Sequence, residues 1–190
     1  MTPANTATAT APPSRITAPL RELVAGIRQT VQRGLAPEPT AQLVAERLAP
    51  YLGRPDLLLS EQCEGDTECY RQHVLHAESD GSFSLVALVW LPGQVTSIHD
   101  HVSWCVTGVH EGEEYERRYR LVPHDTTARL IATEDVVNPR GAVAAFAPPG
   151  DIHLVRNSGT GKAISLHVYG ADVSRLGSSI RRVYDLPADR

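Results

Sequence analysis

The chain has 190 residues and a formal charge of −4, so it lacks the basic footprint that nucleic-acid binding needs. Its 42% apolar content suffices for one sizeable core, yet nothing in it approaches the roughly 18 consecutive apolar residues of a membrane helix. The cysteines Cys63, Cys69 and Cys105 show no zinc-ligand spacing, and their odd number points to free thiols in a reducing compartment.

Residues 1–17 are rich in Thr, Ala and Pro. They bury too little surface to offset the entropy of ordering, which predicts an unstructured tail. The tail has no apolar signal core, so a cytoplasmic location is expected. Residues 18–190 are expected to form one domain that opens with two helices over about 18–55. In the first, Leu20, Leu23, Val24, Ile27 and Val31 recur on one face, and Gly34 ends it. The second starts near Pro39 and Thr40 and carries Ala41, Val44, Leu48 and Leu52 as its apolar stripe.

From about Tyr70 the segments become short, β-branched and aromatic, with Gly, Pro or Asp between them. Strands are predicted over Phe83–Trp90, Ser103–His110, Tyr115–Leu121, Ala128–Ala132, Ala142–Phe146, Ile152–Arg156 and Ala163–Tyr169. Many short strands at even spacing indicate a mainly β sandwich or small barrel. The charged run Glu113, Glu114, Glu116, Arg117 and Arg118 reads as a solvated hairpin.

The chemistry concentrates in two stretches. In the first, Gly93 precedes His99 and His101. Side chains two residues apart on a strand share a face, so these imidazoles can be neighbouring ligands of one ion. In the second, a turn at Pro149-Gly150 leads to His153, the third candidate ligand.

Together these stretches resemble the two motifs of the cupin family, whose members are double-stranded β-helix jelly rolls with a metal inside. The first motif is carried by Gly93, His99, His101, Cys105 and Gly112, with Cys105 where cupins usually have glutamate. The second is carried by Gly141, Pro148, Gly150, His153 and Asn157, with one extra residue after Gly141. Three neutral imidazoles leave a divalent metal its whole charge, which suits an anionic ligand such as a thiolate.

A three-histidine cupin with Cys in the Glu position resembles the cysteine dioxygenase family. Ser165-Leu-His167-Val-Tyr169 matches that family's Ser-x-His-x-Tyr signature. The resemblance implies iron(II), Fe(2+), on His99, His101 and His153. It also implies a small thiol carboxylate and dioxygen as partners, and a sulfinic acid as product. By the same resemblance Tyr169 hydrogen-bonds substrate or oxygen, His167 orients the phenol, and Ser165 fixes His167. In animal members the cysteine at this position forms a thioether with the active-site tyrosine, which here would join Cys105 to Tyr169. Where animal enzymes hold the substrate carboxylate with an arginine, this chain has Gln72. That resembles the bacterial branch that includes 3-mercaptopropionate dioxygenases, in which a later arginine takes over. Arg181 and Arg182 are the candidates here, with Arg175 an alternative and His73 an alternative to Gln72. Two other readings stay open: a three-histidine cupin that cleaves a carbon–carbon bond, and a non-catalytic cupin that binds a small ligand. The sequence does not indicate an oligomeric state.

Overall fold

The computed structural model describes residues 15–124 and 127–186. Residues 1–14 of the expected unstructured tail lie outside the described residues. The end of that tail is ordered, because Thr17 caps a helix. Its hydroxyl accepts the Leu20 N–H at 3.2 Å and donates to the Leu57 carbonyl at 2.7 Å.

The first helix, α1 (Ala18–Val31), buries Leu20, Leu23, Val24 and Ile27 as the 3.6-residue period requires. The second, α2 (Pro37–Leu48), begins two residues before Pro39. Its first turn accepts both prolines because the first amides of a helix have no internal acceptor. No helix among the described residues is long and apolar enough to cross a membrane.

The strands are β1 (Arg71–Ala77), β2 (Ser84–Trp90), β3 (His99–His101), β4 (Cys105–Glu111), β5 (Glu113–His124), β6 (Thr127–Pro139), β7 (Val143–Phe146), β8 (Ile152–Arg156), β9 (Ala163–Tyr169) and β10 (Ile180–Val183). A short helix, α3 (Val173–Leu176), precedes β10. Strands β8 and β9 have the bounds the sequence predicts. The hairpin β5–β6 is longer than expected at both ends, and a bulge at Arg118/Tyr119 keeps its register. Strand β1 carries Gln72 and His73, as the family resemblance implies, whereas β10 is not among the predicted strands, because Ile180–Val183 does not alternate cleanly between apolar and polar.

The strands form two antiparallel five-stranded sheets, ordered β1-β2-β9-β4-β7 and β10-β3-β8-β5-β6. They make up the double-stranded β-helix expected of a cupin. Helices α1 and α2 cover the outer face of the first sheet, so β2 and β9 are buried on both faces along their whole length. Leu85, Ala87, Val89, Ile164, Leu166 and Val168 pack toward the helices. The alternate positions, including Val86, Leu88, Trp90, Ser165, His167 and Tyr169, therefore point between the sheets. At the β4–β5 turn Gly112 has φ +74°, and a Cβ there would meet the Lys162 carbonyl at 2.9 Å. Only glycine fits that corner.

Candidate metal centre

His99 and His101 stand on β3, and His153 lies directly across from His99 on β8. All three are buried, and each offers a ring nitrogen within 4.8 Å of the other two. Their ring centroids are 4.7–5.0 Å apart.

The other ring nitrogen of each is already engaged. His99 Nδ1 donates to the Ser97 carbonyl at 2.9 Å. His101 Nδ1 donates to Asp151 Oδ2 at 3.0 Å, and the His101 backbone N–H donates to the same oxygen at 3.0 Å. His153 Nδ1 donates to Glu116 Oε1 at 2.8 Å. An acceptor on every Nδ1 fixes each tautomer and leaves three Nε2 lone pairs converging on one point. Burial, and then the neighbouring imidazoles, hold His99 well below the usual histidine range. Burial also lowers His101, against the opposing pull of Asp151. Such uncharged donors fit a divalent transition metal, with the three protein ligands on one side and the cavity on the other.

Two of the residues that brace these ligands were not expected from the sequence. Asp151 is buried, and the hydrogen bonds from His101 keep its carboxyl below the ordinary range although burial pushes the other way. Glu116 belongs to the charged run expected to be a solvated hairpin, but Glu114 and Glu116 are only 3% and 2% exposed. Burial opposes ionisation of Glu116, yet its bonds to His153 and Arg118 hold the carboxyl down to about 2. The sequence signal for both glutamates is parity. They follow Gly112 at alternate positions, so they share one face of β5, with Tyr115 and Arg117 on the other.

Beside the histidines runs a chain of polar side chains on the inner face of β9. Tyr169 O lies 3.1 Å from His167 Nδ1, and His167 Nε2 lies 2.9 Å from Ser165 Oγ. The Trp90 indole N–H donates to that same Ser165 oxygen at 3.1 Å. Burial, then the nearby His101 and His153, lowers His167 to about 3, so the ring is neutral. Burial, and then Cys105, raises the Tyr169 phenol well above its ordinary value. Cys105 is Tyr169's cross-strand partner from β4 and is itself fully buried. The Tyr169 ring centroid is 5.9 Å from that of His101.

The three histidines line one cavity with His167, Tyr169 and Trp90. Water centres can occupy about 30 Å3 of it, and one water needs roughly 10–15 Å3, so it admits only a small molecule. Gln72, Tyr70, Ser178, Ser179 and Ile180 complete its wall. Among the described residues, no lysine or arginine lines it.

Arg181 and Arg182, expected as carboxylate clamps, line a separate outer groove with Asp100 and Tyr184. The reason is local. Asp100 sits between the two inward histidines and so points outward, where it accepts from Arg181 at 2.5 Å and from Tyr184 at 2.8 Å. Arg182 lies over the Tyr184 ring. Arg175 is drawn to Asp172 at 3.3 Å. His73 is engaged away from the cavity, with Nε2 at 2.9 Å from the Glu64 carbonyl.

Several solved structures are similar to this chain. TT1209 from Thermus thermophilus is 24% identical over 60% of this chain and 94% of its own, with a TM-score of 0.44. An uncharacterized conserved protein with a double-stranded beta-helix domain from Klebsiella pneumoniae is 17% identical over 66% of this chain and 93% of its own, with a TM-score of 0.47. An RmlC-like cupin protein from Desulfovibrio desulfuricans is 24% identical over 59% and 92%, with a TM-score of 0.43. The family model for cysteine dioxygenase type I matches residues 11–178. Because that match takes in every strand carrying the three histidines and the Ser165–Tyr169 row, the chain belongs to the cysteine dioxygenase type I family.

Proposed function

We propose that the protein is an iron(II) thiol dioxygenase, which adds both atoms of O2 to the sulfur of a small thiol and yields a sulfinic acid. The observation that carries this reading is the meeting, in one small cavity, of three Nε2 lone pairs with Tyr169 and His167, the latter backed by Ser165. His99, His101 and His153 would hold iron(II), which would supply the redox chemistry between thiolate and dioxygen. The residues of this chain do the rest. The neutral imidazoles leave the metal's charge undiminished, which favours an anionic sulfur. Tyr169, protonated in its buried setting, offers a hydroxyl toward the cavity, and His167 and Ser165 fix its direction. The closely packed wall excludes bulk water from the reacting atoms.

The substrate is 3-mercaptopropionate or L-cysteine, held without an arginine. A buried, unpaired carboxylate is prohibitive, and the positive charge available in this cavity is the metal's own. Thiolate and carboxylate together match its two charges, while Gln72, Ser178 and Ser179 supply neutral polar groups on the wall. After anaerobic iron loading, oxygen uptake is measured with cysteine, 3-mercaptopropionate and cysteamine. Both carboxylates are expected to turn over with kcat/KM values within about tenfold of each other, about 1.4 kcal/mol. Tyr169→Phe should keep the fold and the iron while slowing turnover or uncoupling it from oxygen use. Arg182→Ala should change kcat/KM less than about twofold, because the loss of a clamping charge would cost on the order of 2–5 kcal/mol. No uptake with any thiol, or normal kinetics in Tyr169→Phe, contradicts this reading.

The cross-strand pairing of Cys105 with Tyr169 also supports a thioether between them. Directly opposed side chains on an antiparallel pair lie about 4.5–5.5 Å apart at Cβ, within reach of a sulfur–ring bond. Forming the S–C bond breaks the S–H bond of the thiol and one ring C–H bond, and dioxygen takes up both protons and two electrons as hydrogen peroxide. After turnover with iron and thiol, digestion is expected to yield a linked pair of peptides lighter by two hydrogens, and Cys105→Ser should abolish it. Recovery of the two peptides only in separate, unmodified form would exclude the crosslink.

A further inference from the structure

The row that begins at Tyr169 does not end at Ser165. Glu114, on the inner face of β5, lies beside Ser165 and Trp90, near enough for both to pull its carboxyl down. It is 3% exposed, and its Oε1 has no hydrogen-bond partner among the described residues. A buried carboxyl at the end of a hydrogen-bonded chain is expensive to keep unless it does something for that chain.

The hydrogen-bonding capacity of Ser165 shows what it does. A serine hydroxyl has one hydrogen to give and two lone pairs, and an indole only donates. Trp90 occupies one lone pair of Ser165 Oγ. His167 Nε2 takes either the remaining lone pair or the hydrogen, and the adjacent Glu114 carboxyl is placed to take the other. If Glu114 is ionised, Ser165 donates to it and accepts from His167 Nε2–H. His167 Nδ1 is then bare and accepts the Tyr169 O–H. If Glu114 carries a proton, it donates to Ser165, and Ser165 donates to His167 Nε2. The His167 hydrogen then sits on Nδ1 and donates to the phenol oxygen, so the Tyr169 O–H is released toward the cavity or Ser179. Every donor finds an acceptor in both arrangements, and His167 stays neutral in both.

We propose that Glu114 is a positioning residue whose protonation selects the tautomer of His167 and thereby the direction in which Tyr169 points its hydroxyl. The inference deepens the thiol dioxygenase reading and rests on it only for the use made of the hydroxyl. Two surroundings favour a titration near neutrality. Burial raises the Glu114 carboxyl, and Glu116, two residues along the same strand, raises it further, while Ser165 and Trp90 oppose them; the balance lies at about 7. The elements around it contribute Glu116 from β5, neutral His167 beyond Ser165 from β9, neutral Trp90 from β2 and the uncharged Asn138 opposite on β6. The sign follows directly: the hydroxyl is offered to the cavity below this value and turned back to His167 above it.

The test is 15N NMR of the full-length chain loaded with diamagnetic zinc, following the two ring nitrogens of His167 from about pH 6 to about pH 8. In the wild type the hydrogen should move from Nδ1 to Nε2 as pH rises. In Glu114→Gln, whose side chain has no proton to lose, the tautomer should stay fixed across that range. Ser165→Ala cuts the link without touching Glu114 and should also fix it. In the iron-loaded enzyme, the step in kcat over the same range should be lost in Glu114→Gln. A wild-type tautomer that does not change with pH overturns the proposal, even if no variant folds. So does a Glu114→Gln protein that keeps the wild-type change. Absence of turnover with every thiol would instead count against the thiol dioxygenase reading, and the NMR result would still decide the role of Glu114.

Discussion

Replacing His153 with alanine is expected to abolish stoichiometric metal binding and turnover together. Each of the three ligands is committed in advance: its Nδ1–H is held by Ser97, Asp151 or Glu116, and its Nε2 faces the shared centre. Three such donors are the minimum for a catalytic site with open positions. With two left, the ion is held by a pair on one short strand and has lost the β8 half of its cradle. The substitution also removes the partner of Glu116 Oε1 and leaves a buried carboxylate held only through Oε2, by Arg118 at 3.1 Å and the Asn138 amide at 3.5 Å. Metal content by mass spectrometry after anaerobic loading and dialysis checks the result, with oxygen uptake beside it. His110→Ala is the control. That ring accepts the Gly53 N–H at 3.2 Å and lies outside the cluster, so its loss should leave the metal in place. Full iron retention by His153→Ala would remove the assignment of the centre.

The three histidines are legible in the sequence because their positions follow from short-range rules. An i, i+2 pair shares a strand face, and a proline–glycine turn delivers the third onto a strand of the same sheet. The row Ser165, His167 and Tyr169 is legible for the same reason, since Ile164, Leu166 and Val168 claim the opposite face for the helices. The carboxylate clamp is not legible. Which residues of β10 face the cavity depends on a register shift between Ile180 and Arg182 and on the outward pull of Asp100, and both arise only when β10 pairs with β3. The braces Glu116 and Asp151, and the buried Glu114, are hidden for another reason. A run of Glu and Arg satisfies the composition of a surface hairpin, and only the closing of the second sheet over the first turns one of its faces inward.

Glu116 is where that hidden information has its largest expected effect after the ligands themselves. Its Oε1 accepts from His153 Nδ1 at 2.8 Å, and its Oε2 accepts from Arg118 at 3.1 Å and lies 3.5 Å from the Asn138 amide nitrogen. The carboxylate therefore does two things to His153. It fixes the ring so that Nε2 faces the centre of the three-histidine cluster, and its negative charge makes that nitrogen a better donor to a metal. Removing a partner of this kind typically lowers metal affinity by about 10- to 100-fold, or about 1.4–2.7 kcal/mol. Glu116→Gln and Glu116→Ala separate the two contributions. The amide can still accept from Nδ1–H and orient the ring but carries no charge, so it should keep part of the affinity. Alanine does neither, and it leaves His153 Nδ1–H and one Arg118 contact unmet. The expected order of affinity is wild type, then Glu116→Gln, then Glu116→Ala, measured by competition with a chelator of known strength. Arg117→Ala is the comparison on the outer face of the same strand. Its guanidinium pairs with Asp135 at 2.6 Å where both are partly exposed, so its loss should leave metal affinity unchanged. Equal affinity in wild type and Glu116→Ala would mean that His153 is held by its strand alone. The buried carboxylate would then serve to pair Arg118 and not to brace the metal centre.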